Sequence, residues 1–177
     1  MSLTNPVSAN DHAEGPADAP VTLVEYGDYQ CPYCGAAYGI IKSIQQRLGN
    51  ELRFVFRNFP LNQAHPMAQL AAEAAEAAGA QGKFWEMHDA LFENQDQLGQ
   101  ELVETLVTRL QLDAARFEAD LEERKFQSRV KLDFMGGVRS GVNGTPGFFI
   151  NGQRYDGSWD EEPLTAALLK AASQASG

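Results

Sequence analysis

Val21-Thr22-Leu23-Val24-Glu25-Tyr26-Gly27-Asp28-Tyr29-Gln30-Cys31-Pro32-Tyr33-Cys34 is the stretch that decides how this chain folds. Its first residues form an apolar run that reads as a buried strand, and helical spacing begins at the cysteines. Gly27-Asp28-Tyr29-Gln30 is the loop that carries the chain off the strand. A cysteine at the first turn of a helix sees unpaired backbone N–H groups and the positive end of the helix dipole, and both favour thiolate over thiol. Thiolate is the nucleophile that opens disulfides, so the pair reads as a redox dithiol.

Other uses of the pair are weaker. A structural staple would close a loop of only four residues, worth about 2 kcal/mol in chain entropy against about 4.7 kcal/mol for a hundred-residue loop. Structural zinc wants four ligands, and these are the only two cysteines, while His12, His65 and His88 lack a close His-x-x-x-His spacing. No metal is expected.

Working outward, residues 1–19 are polar and rich in Gly, Pro, Asp and Asn, and read as an extended arm leading to Pro20. Val21 to Tyr26 is apolar on both faces, as a central parallel strand would be. The helix after it runs from the cysteines to about Leu48, with Tyr38, Ile41, Ile44 and Leu48 on one face, and stops at Gly49-Asn50. A second strand spans Leu52 to Phe59, completing a βαβ unit whose crossover is expected to be right-handed. From Pro66 to about Ser140 the pattern is entirely helical: Ala68 to Ala78, Lys83 to Glu93, Glu101 to Leu110, Ala114 to Leu121 with Asp113 as N-cap, and Glu123 to about Ser140. Gly147 to Ile150 and Gln153 to Tyr155 then flank Asn151-Gly152, a hairpin signal with a type I′ turn. A last helix runs from about Asp160 to Ala172. The expected organisation is an α/β domain over 20–65 and 141–177, interrupted by a helical subdomain over 66–140.

The chain's 177 residues, 44% apolar, suffice for a core that needs no disulfide support. A net charge of −10 argues against nucleic-acid partners and against anionic lipid, both of which need a basic surface. No stretch approaches the ~18 apolar residues of a membrane span, so no membrane insertion is expected. Met1-Ser2-Leu3-Thr4-Asn5-Pro6 has neither the basic nor the apolar region of a signal peptide. As written the chain is expected to be cytoplasmic; the alternative is a periplasmic protein whose signal peptide has been removed.

Three linked motifs carry a family resemblance: Val24-Glu25-Tyr26 shortly before Cys31, then Cys31-Pro32-Tyr33-Cys34, then Gly144-Thr145-Pro146 immediately before a hairpin strand. In this order they resemble the thioredoxin superfamily, and the helical block between the halves resembles its DsbA-like branch. The stretch from Gly15 to Tyr26 also looks like DsbA-like domains found alone or fused to a sodium/proton antiporter. The resemblance spans roughly residues 12–172 and implies a thioredoxin-like fold, βαβ then ββα, with an all-helical insertion. It also implies a role for each site residue. Cys31 would be the exposed nucleophile and Cys34 the resolving thiol. Pro32 fits the first helical position, where no N–H bond is lost, and Pro32-Tyr33 would face substrate and tune the thiolate. Glu25, an acid in an apolar strand, would accept the proton of Cys34. Thr145-Pro146 would be a cis bond in a loop whose backbone pairs with substrate peptide. Asp28 and Tyr29 read as solvated loop positions, and His65 as the end of a loop before a helix.

The implied function is thiol–disulfide exchange with protein thiols or disulfides through a mixed disulfide on Cys31. No organic cofactor is needed beyond the Cys31–Cys34 pair itself. The redox partner would be a thioredoxin or glutathione system, or a membrane oxidase. The direction of electron flow stays open. Two alternatives stand beside it: a glutathione-linked reductase or transferase, and a redox-regulated holdase that binds unfolded chains.

Overall fold

The computed structural model describes residues 1–175. The apolar run becomes β2 (Val21–Gly27), buried at every position but Thr22. A strand buried on both faces belongs in the middle of a sheet. It lies there, between β3 (Leu52–Asn58) and β4 (Gly147–Ile150). β4 runs antiparallel to β2, from Leu23 opposite Ile150 to Tyr26 opposite Gly147. β5 (Gln153–Tyr155) closes one edge through a hairpin. Asn151 and Gly152 turn it with φ of 48° and 82°, the positive pair that a type I′ turn requires. α1 (Pro32–Leu48) leads back toward β3 and ends at Gly49, whose φ of 52° suits a residue without Cβ.

The expected arm is part of the sheet. β1 (His12–Glu14) pairs antiparallel with β3, His12 opposite Phe56, giving the strand order β1-β3-β2-β4-β5. What holds it is a buried cation. Arg57, 4% exposed, grips both carboxylate oxygens of Asp11 at 2.8 and 2.9 Å, and also donates to the carbonyl of Asn5 and the hydroxyl of Tyr26. Burial works against the guanidinium charge, but its bonds to Asp11 and Tyr26 outweigh burial and raise the pKa of Arg57. Asp11→Ala strands that charge, a change that costs about 3–5 kcal/mol. Chemical denaturation is expected to show that loss, and the double variant Asp11→Ala/Arg57→Met, which removes both buried charges, is expected to cost less.

The helices α2 (Ala68–Gly79), α3 (Phe84–Glu93), α4 (Gln100–Arg109) and α5 (Ala114–Glu122) follow, then α6 (Gln127–Arg139) and, after the hairpin, α7 (Glu161–Ala175). α2 is rich in alanine and buried almost all round. Small side chains let α3, α4 and α5 pack closely against it. Its two buried acids are satisfied, Glu73 by Arg124 at 2.6 and 2.9 Å and Glu76 by Asn58 at 2.9 Å. Asp113 caps α5 by accepting from the Arg116 N–H. α6 begins later than the sequence pattern suggests. Arg124 takes a φ of 52° and the Lys125 N–H bonds back to the Asp120 carbonyl, which ends α5 and breaks the run.

The chain divides into two compact units. One contains Met1–Gly27, Ala36–Arg57 and the chain from Met135 onward: the sheet, most of α1, and α7, which packs on β2 and buries Leu164 and Leu168. The other contains Asp28–Gly35 and Asn58–Phe134: the cysteine motif and the helical block. These boundaries differ from the expected ones. The arm joins the sheet through β1, and the motif joins the helical block through the hydrogen bonds described next.

Candidate functional site

The chain leaves β2 in a tight turn, with the Cys31 N–H bonded to the Asp28 carbonyl at 3.1 Å. The Cys31 carbonyl then accepts the Gly35 N–H at 3.0 Å, the first bond of α1, so Cys31 stands at the helix entrance and Pro32 is its first helical residue. Gln95 fastens this segment from the helical block, its amide donating to the carbonyls of Tyr29 and Cys31 at 2.9 and 2.8 Å. The same side chain's amide lies where a Cβ on Gly35 would sit, so a larger residue there would push Gln95 aside.

Both sulfurs are thiols, and both cysteines are buried: Cys31 is 3% exposed and Cys34 fully covered. The expected exposed nucleophile is therefore recessed, because the turn at Asp28 and the Gln95 clamp fold the segment inward. The outer surface of the motif is the intervening dipeptide. Pro32 is exposed and Tyr33 is 67% exposed.

The expectation for the loop is corrected too. Asp28 and Tyr29 are each 1% exposed. Asp28 Oδ1 accepts the Gln30 N–H at 2.7 Å, and its Oδ2 accepts the Leu61 N–H at 2.9 Å. His65 Nδ1 lies 2.8 Å from the same Oδ2. A carboxylate only accepts, so Nδ1 carries the hydrogen and donates. His65 thus does more than end a loop. The Asp28 N–H points at Cys34 Sγ, 3.5 Å away. The Tyr29 hydroxyl meets His88 Nδ1 at 2.9 Å, and its ring packs 4.9 Å from Phe92. Gln30, next in the chain, accepts the Met67 N–H at the start of α2. Asp28, His65 and Gln95 were not readable as a set, because they lie 37 and 67 positions apart with no shared motif.

In the sheet unit, Glu25 is 2% exposed and sits opposite Phe148. The Thr145–Pro146 bond is cis and delivers the chain to Gly147, which pairs with Tyr26 beside Glu25. The Tyr26 ring meets Phe149 edge-on at 5.8 Å. Among the described residues no group of three or more His, Cys, Asp or Glu could hold a metal, and no helix is long and apolar enough to cross a membrane.

A five-stranded sheet with a Cys-x-x-Cys at the entrance of its first long helix, a cis-proline at the entrance of β4 and an inserted helical block defines a DsbA-like thioredoxin fold. The family described as Thioredoxin matches residues 8–170, and the chain belongs to it. The thioredoxin-like oxidoreductase of Silicibacter pomeroyi DSS-3 is 26% identical, with a TM-score of 0.79 over 94% of each chain. Wolbachia pipientis alpha-DsbA1 shares the fold at a TM-score of 0.84 and 20% identity, over 98% of this chain and 96% of that one. In sequence, the chain is 48% identical over 97% of its length to the Na(+)/H(+) antiporter NhaA 1 of Salinispora arenicola, and spans 26% of that relative.

Proposed function

We propose that this protein is a thiol–disulfide oxidoreductase that exchanges Cys31–Cys34 with thiols or disulfides of other proteins. The observation that carries this reading is the placement of the chain's two cysteines at the entrance of α1, one at the first turn and one a turn further in. In the reducing direction the Cys31 thiolate attacks a substrate disulfide, forming a Cys31–substrate disulfide and releasing one substrate thiolate. Cys34 then attacks Cys31 Sγ; the second substrate thiolate leaves and the Cys31–Cys34 disulfide forms. Two electrons have passed to the substrate, and the reverse sequence oxidises it. The chemistry needs no other cofactor.

Glu25 takes the proton of Cys34 in this proposal. Its support is burial in an otherwise apolar strand, together with the family pattern. General-base help is worth typically 10²–10⁴-fold, so Glu25→Gln is expected to slow turnover of a model protein disulfide about a hundredfold at neutral pH. An unchanged rate removes Glu25 from the mechanism. Pro32, Tyr33, Thr145 and Pro146 would meet the substrate chain.

Direction depends on the reduction potential. Known members of this chemistry run from about −270 to −120 mV. Equilibrating the protein in glutathione buffers and counting alkylated thiols reads the potential directly. A value near the low end makes the protein a reductase served by thioredoxin or glutathione, as a cytoplasmic location would require. A value near the high end makes it an oxidant recharged by a membrane oxidase, as in the periplasm. Absence of any exchangeable Cys31–Cys34 disulfide overturns the proposal.

A further inference from the structure

The Asp28 carboxylate is fully covered and accepts from three donors, the N–H groups of Gln30 and Leu61 and the Nδ1–H of His65. Three donors on one short side chain fix the Asp28 peptide in a single orientation. That orientation aims the Asp28 N–H at Cys34 Sγ at 3.5 Å, an ordinary length for a hydrogen bond to sulfur. The donors come from two places. Gln30 belongs to the turn itself, whereas Leu61 and His65 belong to the segment after β3, which is closed on itself by the His65 N–H to Leu61 carbonyl bond at 2.8 Å. His65 keeps 20% of its side chain exposed, so it is the accessible end of a chain of contacts whose other end is a buried sulfur.

We infer that the Asp28 N–H is a hydrogen-bond donor to the resolving thiolate Cys34, and that His65 is a positioning residue that holds this donor in place. An N–H aimed at sulfur is worth most when the sulfur is anionic. Cys34 becomes anionic just before it attacks the mixed disulfide. In that step the Cys34 thiolate forms a bond to Cys31 Sγ, the bond from Cys31 to the substrate sulfur breaks, and the electron pair leaves with the substrate thiolate. The donor therefore acts on the second half of the exchange and leaves the attack by Cys31 untouched. Cys34 is the resolving thiol only if the chain exchanges disulfides as proposed above, so the test measures both halves at once.

Dithiobis(nitrobenzoate) does this with the intact protein. Attack by Cys31 releases one equivalent of coloured thiolate, and resolution by Cys34 releases a second. Loss of one hydrogen bond to a charged group lowers the thiolate population about tenfold, and roughly half of that factor, on a logarithmic scale, returns as greater nucleophilicity of the more basic thiolate. Asp28→Asn, which puts an amide donor among donors, is expected to slow the second phase about threefold or more while the first stays within twofold. His65→Ala, at a half-buried loop position, is expected to slow the same phase by less. His65→Gln, which restores a side-chain N–H, is expected to recover most of the loss. Second phases unchanged in both Asp28→Asn and His65→Ala overturn the inference, as does equal slowing of both phases. If the unmodified protein releases no second equivalent, the exchange reading itself fails.

Discussion

Cys31→Ser is expected to fold like the parent protein and to exchange no disulfides. Serine is close to cysteine in size, and position 31 contributes its backbone to the fold through the bonds to Asp28, Gly35 and Gln95. The thermal midpoint should therefore move little. The chemistry has no such tolerance, because a hydroxyl at neutral pH does not open a disulfide and Cys34, with 0% exposure, is not placed to meet a protein substrate in its stead. Turnover of a model protein disulfide with a thiol reductant should fall to the rate of the reductant alone. Residual turnover above a tenth of the parent rate would mean that another group is the nucleophile.

The parts of the fold that could be read from the sequence are those whose cause is local. β2 announces itself because a strand buried on both faces must be apolar throughout, and Val21 to Tyr26 nearly is. The hairpin needs two consecutive residues at positive φ, and Asn151-Gly152 is the pair that adopts them most cheaply. The cap of α5 is likewise a property of Asp113 and the residues just after it. β1 could not be read this way. His12-Ala13-Glu14 has no apolar alternation, and it is a strand only because β3 offers an edge and Asp11 offers a carboxylate to the buried Arg57. The start of α6 was hidden for a similar reason. Nothing in Glu123-Arg124-Lys125 forbids a helix, and the break is made by the turn that closes α5.

The site divides along the same line. The cysteines, Pro32 and the proline before β4 are legible because each has chemistry or geometry that few residue types supply. Asp28 reads as solvated from its sequence context, since a loop aspartate usually is. What buries it is a convergence of donors from Gln30, Leu61 and His65 that only the tertiary fold assembles. Gln95 left no trace at all: an amide in a short 3-10 turn, Gln95–Gln97, is unremarkable until its partners are seen to be the carbonyls of Tyr29 and Cys31. Residues that act through backbone groups leave the weakest sequence signal, because any chain can supply the carbonyl or N–H they hold.

Cys34→Ala is expected to do the opposite of Cys31→Ser and accumulate substrate instead of losing it. Cys31 can still attack, so the mixed disulfide forms, but the intramolecular thiol that would displace the substrate is gone. Its release then depends on thiols from solution, and uncatalysed exchange takes minutes to hours. Burial of Cys31 at 3% exposure lengthens the wait, since an external thiol must reach a recessed sulfur. On non-reducing gels, Cys34→Ala should carry high-mass bands that collapse to the monomer with reductant, and Cys31→Ala should carry almost none. The two variants remove one sulfur each, so the comparison controls for thiol content and for any small void left in the core. Bands on Cys31→Ala and none on Cys34→Ala would show that the two cysteines have the reverse roles. Equal bands on both would mean that the burial of Cys34 does not protect it, and that either thiol can meet a protein substrate.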